Sequence, residues 1–296
     1  MPLSRCAMVS GILVIDKPAG WTSMDVCAKL RGIFHEKRVG HGGTLDPMAT
    51  GVLPVFIGRA TRAVEFAEKS DKEYIAALKL GVITNTQDTS GEVLEERPVQ
   101  VSREQLEAVL ERFRGDILQV PPMYSAIKIN GKKLYELARK GREVERPARP
   151  VTIKALEIVE QQGKDLYMIQ VRCTKGTYIR TLCHDIGQAL GCGGCMASLR
   201  RTMAAGFTLE RAHTLEDVQT APDPTALLLP VDSLFRDWAR LMVSAGVEKK
   251  IRNGMTAVLP GLIPGEYRVY SQDEIFLALC RAQGGKLSTI KSFFEV

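Results

Sequence analysis

Residues Arg38 to Pro54 read Arg-Val-Gly-His-Gly-Gly-Thr-Leu-Asp-Pro-Met-Ala-Thr-Gly-Val-Leu-Pro. Asp46 supplies a carboxylate, His41 an imidazole, and Thr44 and Thr50 hydroxyls, in a glycine-rich backbone able to bend closely around a ligand. A carboxylate so placed can attack an electrophilic carbon or stabilise positive charge developing beside it. Pro47 biases Asp46 towards an extended conformation and narrows the directions its carboxylate can take. On residue types alone, the stretch reads equally as a turn begun by Asp46, with His41 a satisfied loop residue.

Other chemistries leave weaker traces. The P-loop pattern and the zinc-protease helix motif are absent. Gly40-His41-Gly42-Gly43 begins like a dinucleotide fingerprint, but Leu45 stands where its third glycine belongs. Cys192-Gly193-Gly194-Cys195, with Cys183 and His184 upstream, could be drawn as a four-ligand zinc site or a redox pair. Cys183 falls on or near an apolar helix face, so the stretch is read as a glycine-rich, helix-ending turn with incidental thiols.

The elements that must carry these side chains follow from periodicity. Gly11 to Ile15 reads as a buried strand closed by the turn Lys17-Pro18-Ala19-Gly20. Thr22 and Asp25 form a capping box for a helix whose apolar face is Val26, Leu30 and Ile33. Val52 to Ile57 and Tyr74 to Leu80 are strand-like. Ser102 with Gln105 opens a second helix, with Leu106, Val109, Leu110 and Phe113 inward and Gly115 as its stop. Tyr167, Ile169, Val171 and Cys173 alternate with polar neighbours as a half-buried strand, and Leu182, Ile186 and Leu190 share a helix face before Gly191. Strands and helices mix without strict alternation, which predicts an α+β fold and not a doubly wound parallel sheet. Thr220 to Pro224 is the best linker. Beyond Val231, short strand-like runs between Pro-Gly and Gly-Gly turns predict a small β-rich module.

The chain has 296 residues, 45% hydrophobic and 25% charged, in the range of a globular protein. A chain this long buries roughly three quarters of its unfolded surface and needs no disulfide or metal staple. No run approaches the roughly 18–20 apolar residues of a membrane span. Cys6 to Ile15 faintly resembles a secretory signal but lacks a small-residue cleavage site and meets Asp16-Lys17-Pro18 at once, so it is read as a buried strand. Seven scattered cysteines, an odd number, favour reduced thiols and a cytoplasmic location. The net charge is +6, and residues 124–150 hold eight basic side chains against three acidic ones, a net +5. Tyr124 and Tyr135 are interleaved there. A charge run is commonly a solvated face, yet this concentration favours a phosphate-binding surface.

Taken together, several stretches resemble the bacterial tRNA pseudouridine-55 synthase family. Gly-His-Gly-Gly-Thr-Leu-Asp-Pro-Met-Ala-Thr-Gly-Val-Leu-Pro looks like that family's catalytic motif, and Gly11 to Ser23 like its first motif. Asp71-Lys-Glu-Tyr74 is similar to its tyrosine-bearing strand, and Pro122 to Lys128 with Gly131 to Glu136 to its RNA-binding insertion. Lys175 to Thr181 and Ser198-Leu-Arg-Arg201 complete a set that runs in the family's order from about residue 10 to 210.

The resemblance implies a pseudouridine synthase fold, a mixed β-sheet core with flanking helices, and isomerisation of the T-arm uridine at position 55 of tRNA. It implies a catalytic domain over residues 1–230, with a basic RNA-binding insertion at about 124–150, and a PUA-like RNA-binding domain over 231–296. Asp46 would be the catalytic carboxylate, acting at C1′ or at C6. Tyr74 would stack on the flipped uracil and take the C5 proton, and Arg180 would pair with Asp46 and favour its ionised form. Tyr178 and Leu199 would line the base pocket, Asp88 would be the acid near Arg180, and His41 would enter the T loop. Lys17, Lys128, Lys132 and Lys133 would contact the RNA. The product is an isomer of the substrate, so no cofactor and no metal are expected. The partner would be tRNA through its T stem-loop, with no membrane, no obligate protein partner and a monomeric chain.

One departure stands within the motifs: Asn85 occupies a position where the family usually carries an acid, which predicts a changed local hydrogen bond. The C-terminal module matches by position and texture alone. Two rivals share many of these features. One is an RNA-binding or RNA-folding module without chemistry, against which Asp46, Tyr74 and Arg180 together argue. The other is a synthase working inside a guide-RNA particle, against which the compact chain and the basic insertion argue.

Overall fold

A computed structural model describes residues 9–129 and 131–294. Residues 6–8 of the apolar N-terminal run lie outside the described residues. From Gly11 the backbone is a strand to Lys17, and Ile12 to Ile15 are each at most 1% exposed. Such continuous apolar runs mark strands covered on both faces. Its neighbour, Thr50–Ile57, is buried over all but its first residue.

These two strands begin a mixed nine-stranded sheet. Its main path runs Gly11–Lys17, Thr50–Ile57, Gly194–Ala204, Lys72–Leu80, Leu166–Cys173, Arg149–Gln162 and Gly115–Gln119. Val39–His41 pairs with Thr50–Ile57, and Phe207–Thr208 with Gly194–Ala204. Neighbours are antiparallel except at one seam, where Arg200 and Arg201 lie parallel to Thr50 and Gly51.

Helices cover the sheet. Ser23–Phe34 opens on the expected Thr22/Asp25 capping box and buries Val26, Leu30 and Phe34 against the first two strands. Arg103–Glu111 opens on the Ser102/Gln105 box and buries Leu106 and Leu110. It stops at Glu111, and Gly115 begins the next strand instead of capping the helix. Ile179–Ala189 packs Leu182, Cys183 and Ile186 into the core beside Leu78, Ile169 and Met196. The Cys192–Cys195 stretch is the turn that leads from this helix into the strand Gly194–Ala204.

The expected linker at 220–224 is no loose tether. Leu215–Thr220 is a helix, and a few residues on Leu229 exchanges both backbone hydrogen bonds with Ile12, each 2.8 Å. Phe235 and Trp238 then pack on Phe66, joined by Phe276 of the second sheet and by Phe293 just past that sheet's strand Lys286–Ser292. That sheet has five strands in the order Ala239–Met242, Gly265–Tyr270, Phe276–Gln283, Lys286–Ser292 and Ala257–Val258, with the helix Ala245–Arg252 against it. Gly284 and Gly285, both at positive φ, make its tight hairpin turn. Among the described residues no helix is long and apolar enough to cross a membrane.

Candidate active site

The Asp46 loop leaves the strand Val39–His41 and rejoins the sheet at the parallel seam. Gly51 there has φ +102°, and a Cβ on it would stand 2.2 Å from the backbone oxygen of Arg201. Only glycine allows the two strands to approach so closely. From the same residue the buried Arg201 side chain reaches under the loop, its Nε donating to Val52 O at 2.7 Å, Nη2 to Gly43 O at 3.1 Å and Nη1 to Thr44 O at 3.4 Å. The loop therefore hangs on a guanidinium that satisfies carbonyls a turn would otherwise leave unpaired.

A second cation holds the other end. Lys17 is fully buried, and its ammonium donates to the carbonyls of Pro18 at 2.9 Å, Trp21 at 2.6 Å and Pro47 at 3.2 Å. This corrects its expected role: the side chain braces the Asp46 loop from inside and presents no charge to RNA. Burial lowers its pKa, an effect that Asp46 partly opposes.

Asp46 points from this loop at the first turn of the helix Ile179–Ala189. Its Oδ2 lies 2.9 Å from Nε of Arg180, whose side chain is 7% exposed while that of Asp46 is 39% exposed. Arg180 Nη1 donates to Thr86 O at 3.1 Å and Nη2 to Tyr124 O at 2.9 Å, and Asp88 stands 3.6 Å from Nε. Asp88 is itself fixed by Thr86 Oγ1 at 2.7 Å and by the amide and hydroxyl of Ser90 at 3.0 and 2.5 Å. Arg180 is thus fully partnered, and its orientation aims one face at a carboxylate that still meets solvent.

A cleft of about 900 Å³ opens over Asp46. Its walls include Tyr74, Tyr178, Leu199, Asp88, Arg180 and Arg201, with Tyr135 and Arg139 of the basic segment at the rim. Burial pushes the Tyr74 and Tyr178 phenols up, so both are neutral hydrogen-bonding rings at neutral pH. Gln119 clamps Tyr178 on its backbone, accepting from Tyr178 N at 2.7 Å and donating to Tyr178 O at 3.1 Å. The apolar edge of Leu199 and the aromatic walls suit a flat heterocycle, and Asp46 suits a carbon turning cationic.

The remaining expected residues lie elsewhere. His41 ends the short strand beside Val55, half-buried and outside the cleft lining, and its Nδ1 has no partner among the described residues. Burial, then Arg201, lowers its pKa, which leaves the imidazole neutral. Lys128, Lys132 and Lys133 sit together on a small antiparallel ribbon and are not among the residues that line the cleft. Lys133 Nζ meets Tyr135 Oη at 3.2 Å. Asn85 accepts the Glu92 amide through Oδ1 at 3.0 Å. Arg201 and Gln119 were not singled out by sequence reasoning. Arg201 stood inside a quoted motif, but nothing in residue type separates it from its outward-facing neighbour Arg200, which pairs with Asp16.

Comparison with known proteins converges on one family. Residues 31–179 match the model for the TruB family pseudouridylate synthase N-terminal domain, and residues 180–236 that for the tRNA pseudouridylate synthase B C-terminal domain. The chain is 45% identical to tRNA pseudouridine synthase B of Chromobacterium violaceum, over 98% of this chain and 96% of that one. It is 50% identical to the protein of that name from Stutzerimonas stutzeri, over 80% and 79%. Among solved structures it superposes with TM-score 0.73 at 26% identity on a chain of a Cbf5-Nop10-Gar1 complex, covering 96% of this chain and 85% of that one. A chain of an H/ACA RNP bound to a substrate RNA containing 2′-deoxyuridine gives TM-score 0.74 at 24% identity, with the same coverage, a likeness of fold.

Proposed function

Because the chain belongs to the TruB family of pseudouridylate synthases, we propose that it isomerises uridine 55 in the T arm of tRNA to pseudouridine, with Asp46 as its catalytic carboxylate. It is a pseudouridine synthase, and the uridine it acts on is in tRNA. The observation that carries the residue assignment is the half-exposed carboxylate of Asp46 held 2.9 Å from the buried Arg180 at the floor of an aromatic-walled cleft.

In this reaction the N1–C1′ bond breaks, the uracil turns, and C5 bonds to C1′. A stacked base cannot reach a carboxylate at the floor of a cleft, so the uridine flips out of the T loop and inserts between Tyr74, Tyr178 and Leu199. Arg180 keeps Asp46 ionised and fixes its direction. Asp46 then attacks C1′ or C6, or stabilises the positive charge that develops at C1′. Tyr74 takes the proton that C5 must lose, and N1 gains one. Nothing is oxidised or reduced.

Arg139 lines the cleft, and the basic Lys128–Lys133 ribbon precedes it in the chain; in this account both meet the backbone of the stem-loop. Residues 1–230 form the catalytic domain in this account and residues 231–296 a PUA-like domain that grips the acceptor side of tRNA. The enzyme works as a monomer in the cytoplasm, without a guide RNA or protein subunit. Its six described cysteines are buried free thiols, in keeping with a reducing compartment. The test is site mapping: an unmodified tRNA transcript is incubated with the protein, treated with carbodiimide and read by primer extension. A single new stop reporting position 55 is expected. A stop elsewhere, or none, contradicts the assignment.

A further inference from the structure

Arg201 and Tyr74 are direct partners across the antiparallel pair of strands Gly194–Ala204 and Lys72–Leu80. Side chains of directly opposed residues stand on the same face of a sheet within contact range. Arg201 is 1% exposed, its guanidinium donates to the carbonyls of Gly43 and Thr44 in the Asp46 loop and of Val52 in the strand that follows, and among the described residues it forms no ion pair. The titratable groups acting on the Tyr74 phenol come from each element around it: Arg201 across the strand pair, Cys173 from the neighbouring strand and Asp46 from the loop. Burial, Cys173 and Asp46 all disfavour the phenolate, and only Arg201 favours it.

We propose that Arg201 is a positioning residue for loss of the C5 proton: one guanidinium ties the Asp46 loop to the Tyr74 ring and stabilises the phenolate that acts as base. This rests on the function proposed above. Once C5 has bonded to C1′, that carbon carries both the sugar and its hydrogen. Tyr74, a neutral phenol at rest, first releases its proton to solvent; the phenolate held by Arg201 then takes the C5 proton, the C5–H electron pair forms the C5–C6 double bond, and the electrons displaced from the C6–N1 double bond go to N1, which takes a proton from water. Tyr74 ends as the phenol it began as.

The test compares single-turnover pseudouridine formation on unmodified tRNA, with ordinary and 5-deuterated uridine, from pH 6.5 to 9.5. Arg201→Gln is expected to fold, to bind tRNA within about twofold of wild type, and to react at least about 100-fold more slowly at pH 7, the scale of a displaced general base. Its rate should climb with pH beyond the wild-type plateau, with a larger deuterium effect than wild type. In a Tyr74→Phe background the same change should cost less than about twofold, because the ring it serves is gone. Arg201→Lys keeps the cation and should keep the wild-type pH profile even where the loop is loosened. A loss that is equal at every pH, insensitive to deuterium and undiminished in Tyr74→Phe would reduce Arg201 to a loop strut and overturn the proposal. Wild-type protein inactive on the same tRNA would contradict the proposed function itself.

Discussion

Arg180 lies almost wholly buried with its Nε 2.9 Å from Oδ2 of Asp46, a carboxylate that still meets solvent. The asymmetry matters chemically. The carbonyls of Thr86 and Tyr124 fix the cation, so the carboxylate is aimed by a group that itself cannot turn. A surface ion pair would offer neither direction nor much energy.

Removing the arginine should unsettle more than the reaction. Arg180→Met leaves Asp88 buried beside no cation and strips two carbonyls of their donors. Breaking such a buried pair from one side costs about 3–5 kcal/mol. Urea denaturation is expected to show that loss, with single-turnover activity reduced at least about 100-fold. Full stability in Arg180→Met would mean that the network does not hold the site together.

Two glycines separate strain from collision. At Gly51 a Cβ would meet the Arg201 backbone at 2.2 Å with φ +102°, whereas at Gly20 φ is +82° with nothing within 4 Å. Gly20→Ala should therefore cost only the left-handed backbone penalty, about 1–2 kcal/mol. Gly51→Ala must part the parallel seam as well, and is expected to lose clearly more stability and most of its activity. Similar melting temperatures for the two variants would contradict the close approach at the seam.

Asp185, on the helix that carries Arg180, has its carboxyl pushed up to about 6 by burial. An acid whose folded pKa is raised destabilises the fold fully above that pKa, and the penalty disappears as pH falls below the ordinary value of 3.8. Asp185→Asn should stabilise the protein at pH 8 by roughly 1–2 kcal/mol, after allowance for solvent screening, and by almost nothing at pH 4. Chemical denaturation at both pH values measures it, and a gain larger at pH 4 would reverse the sign of the argument.

Lys132 and Lys133 test the proposed RNA contact of the basic ribbon. Replacing both by Ala should weaken tRNA binding about equally across tRNA sequences and lower the slope of log affinity against log salt by roughly one to two. An unchanged slope would remove the ribbon from the interface.

Much of this is legible in the residues themselves. The capping boxes at Thr22 and Ser102 and the alternation from Tyr167 to Cys173 are local signals, and local hydrogen bonding and burial decide those elements. The central strand Gly194–Ala204 was hidden because its burial is not alternating and it carries Arg200 and Arg201, residues that ordinarily mark a surface. Arg201 is tolerated inside only because carbonyls of a loop about 150 residues away in the chain surround it. The strand Arg149–Gln162 escaped notice because it is half exposed and its register shifts twice. Asp46, Tyr74, Asp88, Tyr178, Arg180 and Leu199 were named by motif and come together in the cleft. Lys17 was misjudged because nothing in a Lys-Pro turn tells whether its ammonium meets phosphate or the chain's own carbonyls.

The most direct test follows the hydrogen on C5. Unmodified tRNA carrying 5-³H-uridine is incubated with wild type and with Asp46→Ala in parallel, and tritium release is measured beside tRNA binding. Forming the C5 glycosidic bond must expel that hydrogen, so the expected result is release of one tritium per tRNA site by wild type, essentially none by the variant, and binding retained by both. Release by Asp46→Ala at the wild-type rate would contradict the assignment of the carboxylate, and no release by wild type that still binds tRNA would contradict the reaction.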